Sequence, residues 1–118
     1  MNTIELGRQG EDLAAAYLDS RGMRVVDRNW RSSAGEIDIV AVDGRCLVIC
    51  EVKTRASDTA GEPVEAVTPD KVRRLRRLAA AWVQAGGGRR RRAVRIDVVA
   101  IWWPRGAAPV IRHLKGVG

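Results

Sequence analysis

The residues best suited to chemistry lie in two neighbouring strand-like segments. GEIDIVAV spans 35–42 and RCLVICEVKT spans 45–54, and Asp43-Gly44 between them is the dipeptide favoured in a two-residue hairpin turn. With that turn, Val42 pairs with Arg45, Asp38 with Ile49 and Glu36 with Glu51. Paired side chains share a sheet face, so Glu36, Asp38, Glu51 and Lys53 gather on one face, with Asp38 and Glu51 as diagonal neighbours roughly 7 Å apart. The opposite face carries Ile37, Ile39, Ala41, Cys46, Val48, Cys50 and Val52. It is wholly apolar and must be core, which checks the register independently.

Three carboxylates and an ammonium on one face admit two readings. Antiparallel sheets commonly leave one face polar and solvated. Against that, Val40, Leu47 and Ile49 share the face, so it is at least partly covered. Carboxylates held together under cover repel unless a proton or a cation resolves the charge. A hard divalent cation with oxygen ligands, Mg²⁺ or Mn²⁺, does this well. A lysine beside it could orient or deprotonate a water, or neutralise charge growing on a phosphate.

The elements around the hairpin follow from capping and periodicity. Asn2 or Thr3 caps a helix over about 4–21, with Leu6, Leu13, Ala14, Tyr17 and Leu18 as its apolar stripe and Gly22 as its stop. Residues 23–30 alternate as a strand. Residues 56–68 read as a loop, broken by Gly61 and Pro63. Thr68-Pro69 opens a second helix that runs to about Ala85, with Val72, Leu75, Ala79, Trp82 and Val83 inward. Strands over 93–103 and 110–114 close the chain. The order is α-β-β-β-α-β-β: an α/β (α+β) fold, a mixed sheet with helices packed on it, in a single domain over 1–118.

Charge is unevenly placed. The 118 residues carry a formal net charge of +7, yet 1–68 hold 8 basic and 12 acidic groups, whereas 69–118 hold 13 basic and 2 acidic ones. A net of −4 against +11 points to an anionic partner, nucleic acid before membrane; an arginine-rich composition (18 Arg, 3 Lys) is the alternative source of the excess. Arg55 shares strand parity with Lys53 and could reach a flanking phosphate. Lys71 starts the second helix, where backbone N–H groups also favour anions. Arg89, Arg90, Arg91 and Arg92 form either a phosphate-contacting loop or a solvated tract. Arg73, Arg74, Arg76 and Arg77 read as a solvated helix face. No apolar run reaches the roughly 18 residues of a membrane helix and the N-terminus lacks a signal-peptide pattern, so the expected compartment is the cytoplasm.

The remaining candidates read as structure. Cys46 and Cys50, four apart on a strand, are too distant for a disulfide or a shared zinc, and fit as small buried hydrophobes. His113 has no Cys or His partner for a zinc site. Trp102 and Trp103 point to opposite faces; an outward one could stack a base or form a dimer interface.

Asp38 followed by Glu51-Val52-Lys53 resembles the signature of the PD-(D/E)xK nuclease superfamily, without the proline before the aspartate. GRQGEDLAAAYL (7–18), NWRSSAGEIDIV (29–40), LVICEVKTR (47–55) and VRIDVVAI (94–101) resemble the YraN-like family of uncharacterised bacterial proteins, over nearly the whole chain. The resemblance implies a restriction-endonuclease-like core and a likeness to Holliday junction resolvases, which carry a glutamate on the first helix; Glu11 matches it. It further implies Asp38, Glu51 and the Val52 carbonyl as ligands of Mg²⁺ or Mn²⁺, Lys53 beside the attacking water, and Glu11 supporting a coordinated water or a second metal. Glu36 would sit beside this site or pair with Arg31 or Arg55. Gly7, Gly10 and Ala14 around Glu11 would let the helix approach the sheet or a phosphate backbone closely. The implied activity is hydrolysis of DNA phosphodiesters, on branched or single-stranded structures, with a homodimer suited to a symmetric junction. The competing reading is a nucleic-acid-binding module of the same fold that does not cleave, or cleaves only with a partner.

Overall fold

The computed structural model describes residues 2–57, 67–86 and 93–118. Asn2 caps the first helix, α1 (Thr3–Ser20), its side chain accepting the Glu5 N–H at 2.8 Å. Three strands follow: β1 (Arg24–Ser32), β2 (Gly35–Asp43) and β3 (Cys46–Arg55). Thr68 caps the second helix, α2 (Pro69–Gln84), accepting the Lys71 N–H at 3.2 Å, with proline in the first turn where its missing N–H costs nothing. β4 (Ala93–Trp102) and β5 (Val110–Leu114) complete the predicted element order.

The strands form one mixed sheet in the order β1-β2-β3-β4-β5, antiparallel throughout except for β3 with β4, which run parallel across the α2 crossover. The two helices cover opposite faces. Ala14 and Leu18 of α1 pack on Met23, Ile39, Ala41, Val48, Cys50, Val99 and Ile101. Under α2 lie Ile37, Val40, Leu47, Ile49, Val72, Leu75, Leu78, Trp82 and Ile96. β3 is therefore buried on both faces over 47–50, as the unbroken run Leu-Val-Ile-Cys requires. Both cysteines are free thiols, and burial pushes the Cys50 thiol up.

The hairpin register differs from expectation by two residues. Val42 pairs with Leu47 and Asp43 with Cys46, so Gly44-Arg45, not Asp43-Gly44, makes the turn. Gly44 stands at φ +61, in the left-handed region that glycine enters without strain, and takes the first loop position. A shift of two keeps every side chain on its face. It moves Asp38 from opposite Ile49 to the position opposite Glu51, one step beyond the last ladder pair, Ile39 with Cys50.

A second departure lies at that step. Ile37 packs under α2 whereas Ile39 packs under α1, so the expected single face of Ile37, Ile39 and Ala41 is broken at Asp38. Its neighbour on β1 supplies the cause. Asn29 adopts φ +54, and the β1–β2 register passes from Arg28↔Ile39 to Trp30↔Ile37 without an Asn29–Asp38 pair. Arg28 and Asn29, consecutive on β1, both reach α1, where each contacts Glu11.

Candidate functional site

The site forms where β2 and β3 part. Asp38 Oδ2 accepts the Val52 N–H at 2.8 Å, which presses the carboxyl against the peptide joining Glu51 to Lys53. Asp38 is pushed up to about 6: burial is the largest cause, the charges of Glu51, Glu11 and Glu36 add to it, and the Val52 hydrogen bond opposes them. Glu51 is 12% exposed. Its Oε2 lies 3.5 Å from Lys53 Nζ and makes a closer ion pair with Lys71, which α2 brings in from its first turn.

Glu11 reaches the same region from α1, and its carboxylate is 14% exposed. It accepts from Asn29 Nδ2 at 2.7 Å and from Arg28 Nη2 at 3.2 Å. Arg28 is held above its ordinary value, chiefly by its hydrogen bond to Asp12. α1 can come this close because position 10 is glycine: a Cβ there would lie 2.0 Å from Thr54 Oγ1 on β3. Ala14 is buried beside it, but nothing approaches Gly7 within 4 Å, so the close approach is made by Gly10 and not by the whole small-residue set.

Asp38, Glu51 and Lys53 thus meet at one place, with Glu11 on its α1 side. Glu36 adds its charge to the field at Asp38 but makes its ion pair with Arg31, at 3.2 Å. Lys71, expected on a phosphate, is an ion-pair partner of Glu51. Arg55 is exposed at the end of β3. Arg89 to Arg92 lie outside the described residues. Among the described residues no three His, Cys, Asp or Glu side chains cluster as a metal-holding group. Asp38, Glu51 and the Val52 carbonyl remain as a hard, all-oxygen set of two carboxylates and one backbone group.

Residues 10–101 match the model of Uncharacterised protein family UPF0102. The chain is 57% identical to a UPF0102 protein of Arthrobacter sp. over 96% of this chain and 95% of the relative. It is 56% identical to one from Pseudarthrobacter chlorophenolicus, over 95% and 84%, and 54% identical to one from Streptomyces coelicolor, over 95% and 87%. The chain belongs to the UPF0102 family. This is the YraN-like family to which its four sequence blocks pointed.

Sequence reasoning missed two features of this UPF0102 chain. Arg28 and Asn29, which hold Glu11, became visible only through a left-handed backbone that the pattern does not announce. The other is a buried charge network. Asp97 on β4 accepts from Arg95 Nε at 2.9 Å and Nη2 at 3.1 Å, and from the Gly116 N–H at 3.0 Å, while His113 Nε2 stands 2.8 Å away. His113, read as solitary, is in fact packed edge-on to Tyr17 and paired with this carboxylate. Among the described residues, no helix is long and apolar enough to cross a membrane.

Proposed function

We propose that this UPF0102 chain is a metal-dependent nuclease of the PD-(D/E)xK, restriction-endonuclease-like type, hydrolysing DNA phosphodiesters. The observation that carries the reading is the hydrogen bond from the Val52 amide to Asp38. It makes one locus of the aspartate, the glutamate and the lysine. The raised proton affinity of Asp38 supports it too, because surplus negative charge under cover is the condition a divalent cation relieves. Asp38, Glu51 and the Val52 carbonyl would hold Mg²⁺ or Mn²⁺, an oxygen-only set suited to hard cations. The cation would supply Lewis acidity toward the phosphate and acidify a water.

The chain's own residues do the rest. Lys53, beside Glu51, orients the attacking water and offsets charge that grows on the phosphate. Lys71 fixes the Glu51 rotamer by its ion pair. Glu11, immobilised by Arg28 and Asn29, would support a coordinated water or a second cation on the α1 side of the site. Arg55, and Arg89 to Arg92, would contact flanking phosphates. Branched or single-stranded DNA is the expected substrate, a homodimer would present two such sites to a symmetric junction, and the cytoplasm is the expected compartment.

One observation favours a second reading, a non-cleaving nucleic-acid-binding module: Glu51 has two ammonium partners, Lys53 and Lys71. Labelled linear, flap and four-way-junction DNA, incubated with and without Mg²⁺ or Mn²⁺, separates the two. Cleavage that needs the metal and disappears in Lys53→Ala and Asp38→Ala is the expected result. Cleavage surviving in both variants overturns the site. Salt-sensitive binding with no cleavage selects the module.

A further inference from the structure

Beyond Glu51, β3, β4 and β5 continue as a small exposed lattice on the sheet face that α2 covers only in part. Cα register places Lys53, Ala100 and Arg112 in one row across the three strands, and Arg55, Trp102 and Val110 in the next. Strand parity puts all six on the face that carries Ile49, Glu51 and Ile96. Trp102 is 42% exposed and Val110 49%, whereas Trp103, facing the other way, packs against the α1 layer. The Trp103 N–H donates to the Arg55 carbonyl at 2.7 Å, which fixes the end of β4 against β3. Trp102 is thereby mounted on a rigid strand, with Arg55 beside it on one side and Arg112 diagonal to it on the other.

We infer that this lattice is a stacking platform for an unpaired nucleotide of the strand to be cut. The inference rests on the nuclease reading and assigns to Trp102 the recognition of the unpaired strand which that reading expects. Three features argue for this occupant. The exposed aromatic offers a π-face, which every base can use without regard to sequence. The cations on its β3 side, Lys53 and Arg55, match a phosphate backbone in charge. The platform is also continuous with the site: Trp102 stands four residues beyond the Glu51 row, about 13 Å along the sheet, so a strand with its phosphate at Lys53 reaches it within a few nucleotides. A paired base is stacked on both sides within its duplex and cannot offer its face to the indole. The platform therefore selects frayed, flapped or single-stranded DNA near the scissile bond.

The test is binding in EDTA, with no cleavage required, of fluorescent oligo-dT and of a blunt duplex of equal length to the wild type, Trp102→Ala and Trp102→Phe. Trp102→Ala is expected to lose about ten- to a hundredfold in oligo-dT affinity. Trp102→Phe should retain most of it, and duplex affinity should stay within about twofold. The salt slope for oligo-dT should not change, since stacking releases no counterions. Thermal melts of both variants close to wild type show that they fold. Equal oligo-dT affinity in wild type and Trp102→Ala overturns the platform and leaves the nuclease reading standing. Self-association that Trp102→Ala abolishes, with oligo-dT affinity unchanged, also overturns it and makes the face a contact between copies. A wild type that binds neither oligo-dT nor duplex also overturns the platform, while the nuclease reading stands or falls on metal-dependent cleavage.

Discussion

Two aspartates of this sheet, the buried Asp97 and the half-buried Asp38, meet opposite fates. Asp97 has no exposed surface, yet its carboxyl is held below the usual carboxylate range: burial raises it, and the Arg95 fork, the Gly116 amide and His113 more than offset that. Asp38 is pushed up to about 6: burial raises it most, the charges of Glu51, Glu11 and Glu36 add to that, and the single Val52 amide does not offset them. The residue type is the same; what differs is the balance of donors to acceptors around it. Where donors exceed need, the charge is locked and the group works as a fastener between β4, β5 and the chain's end. Where acceptors exceed donors, the site retains an unmet demand for positive charge. That is the physical difference between an aspartate that holds a fold and one that can do chemistry.

The largest expected effect tests the second half of that contrast. Lys53→Ala should lower metal-dependent cleavage of flap DNA by about a thousandfold, with stability little changed. A variant that cleaves within tenfold of wild type removes Lys53 from the chemistry.

Asp97→Ala should cost about 3–5 kcal/mol in denaturant unfolding, because it strands Arg95 in a partly buried position. The Asp97 contribution is present above the ordinary carboxylate pKa and is lost as pH falls through its lowered folded value. A loss under about 1 kcal/mol would mean that Asp97 is no fastener.

Asp38→Asn should do the reverse and stabilise the metal-free protein, by about 1–3 kcal/mol at pH 7.5. The asparagine carbonyl can still accept the Val52 N–H. With its folded pKa raised to about 6, Asp38 leaves the wild type fully stable below pH 4 and weakens it as pH rises through 6. The advantage of the variant should therefore shrink on acidification to pH 4. Millimolar Mg²⁺ should raise the melting temperature of the wild type and leave that of Asp38→Asn nearly unmoved. A variant less stable than wild type at pH 7.5 would break the comparison.

The smallest effect marks its edge. Glu36→Ala removes an exposed pair with Arg31 and should change stability by less than about 0.5 kcal/mol and cleavage by no more than a few-fold. A large loss of cleavage would return Glu36 to the site.

Much of this was legible in the sequence, for stated reasons. Helix caps, apolar stripes and the β-rich runs set the element order, and the apolar run of β3 required two covering layers. The hairpin register was misjudged by two because Asp43-Gly44 and Gly44-Arg45 both satisfy a glycine-containing turn, and parity cannot distinguish them. Asp38, Glu51 and Lys53 survived that error because a slip of two preserves faces. The break at Asn29 and Asp38 was hidden, since no alternation announces one left-handed asparagine, although Asn tolerates that region better than most residues. Partners far apart in the chain, His113 with Asp97 and Lys71 with Glu51, are set by strand register and helix docking, which no local pattern carries.

The parallel pairing of β3 with β4 also fixes when the site can exist. Glu11, Asp38, Glu51 and Lys53 all leave the ribosome within the first 53 residues, but the strand that flanks β3 spans Ala93–Trp102. At about 5–20 residues per second, several seconds separate the two. Over that interval β3 is an edge strand, and Lys71 and α2 have no finished sheet to dock on. A chain stalled or cut before β4 would keep Glu11, Asp38, Glu51 and Lys53 and lack the strand and the helix docking that bring them under cover.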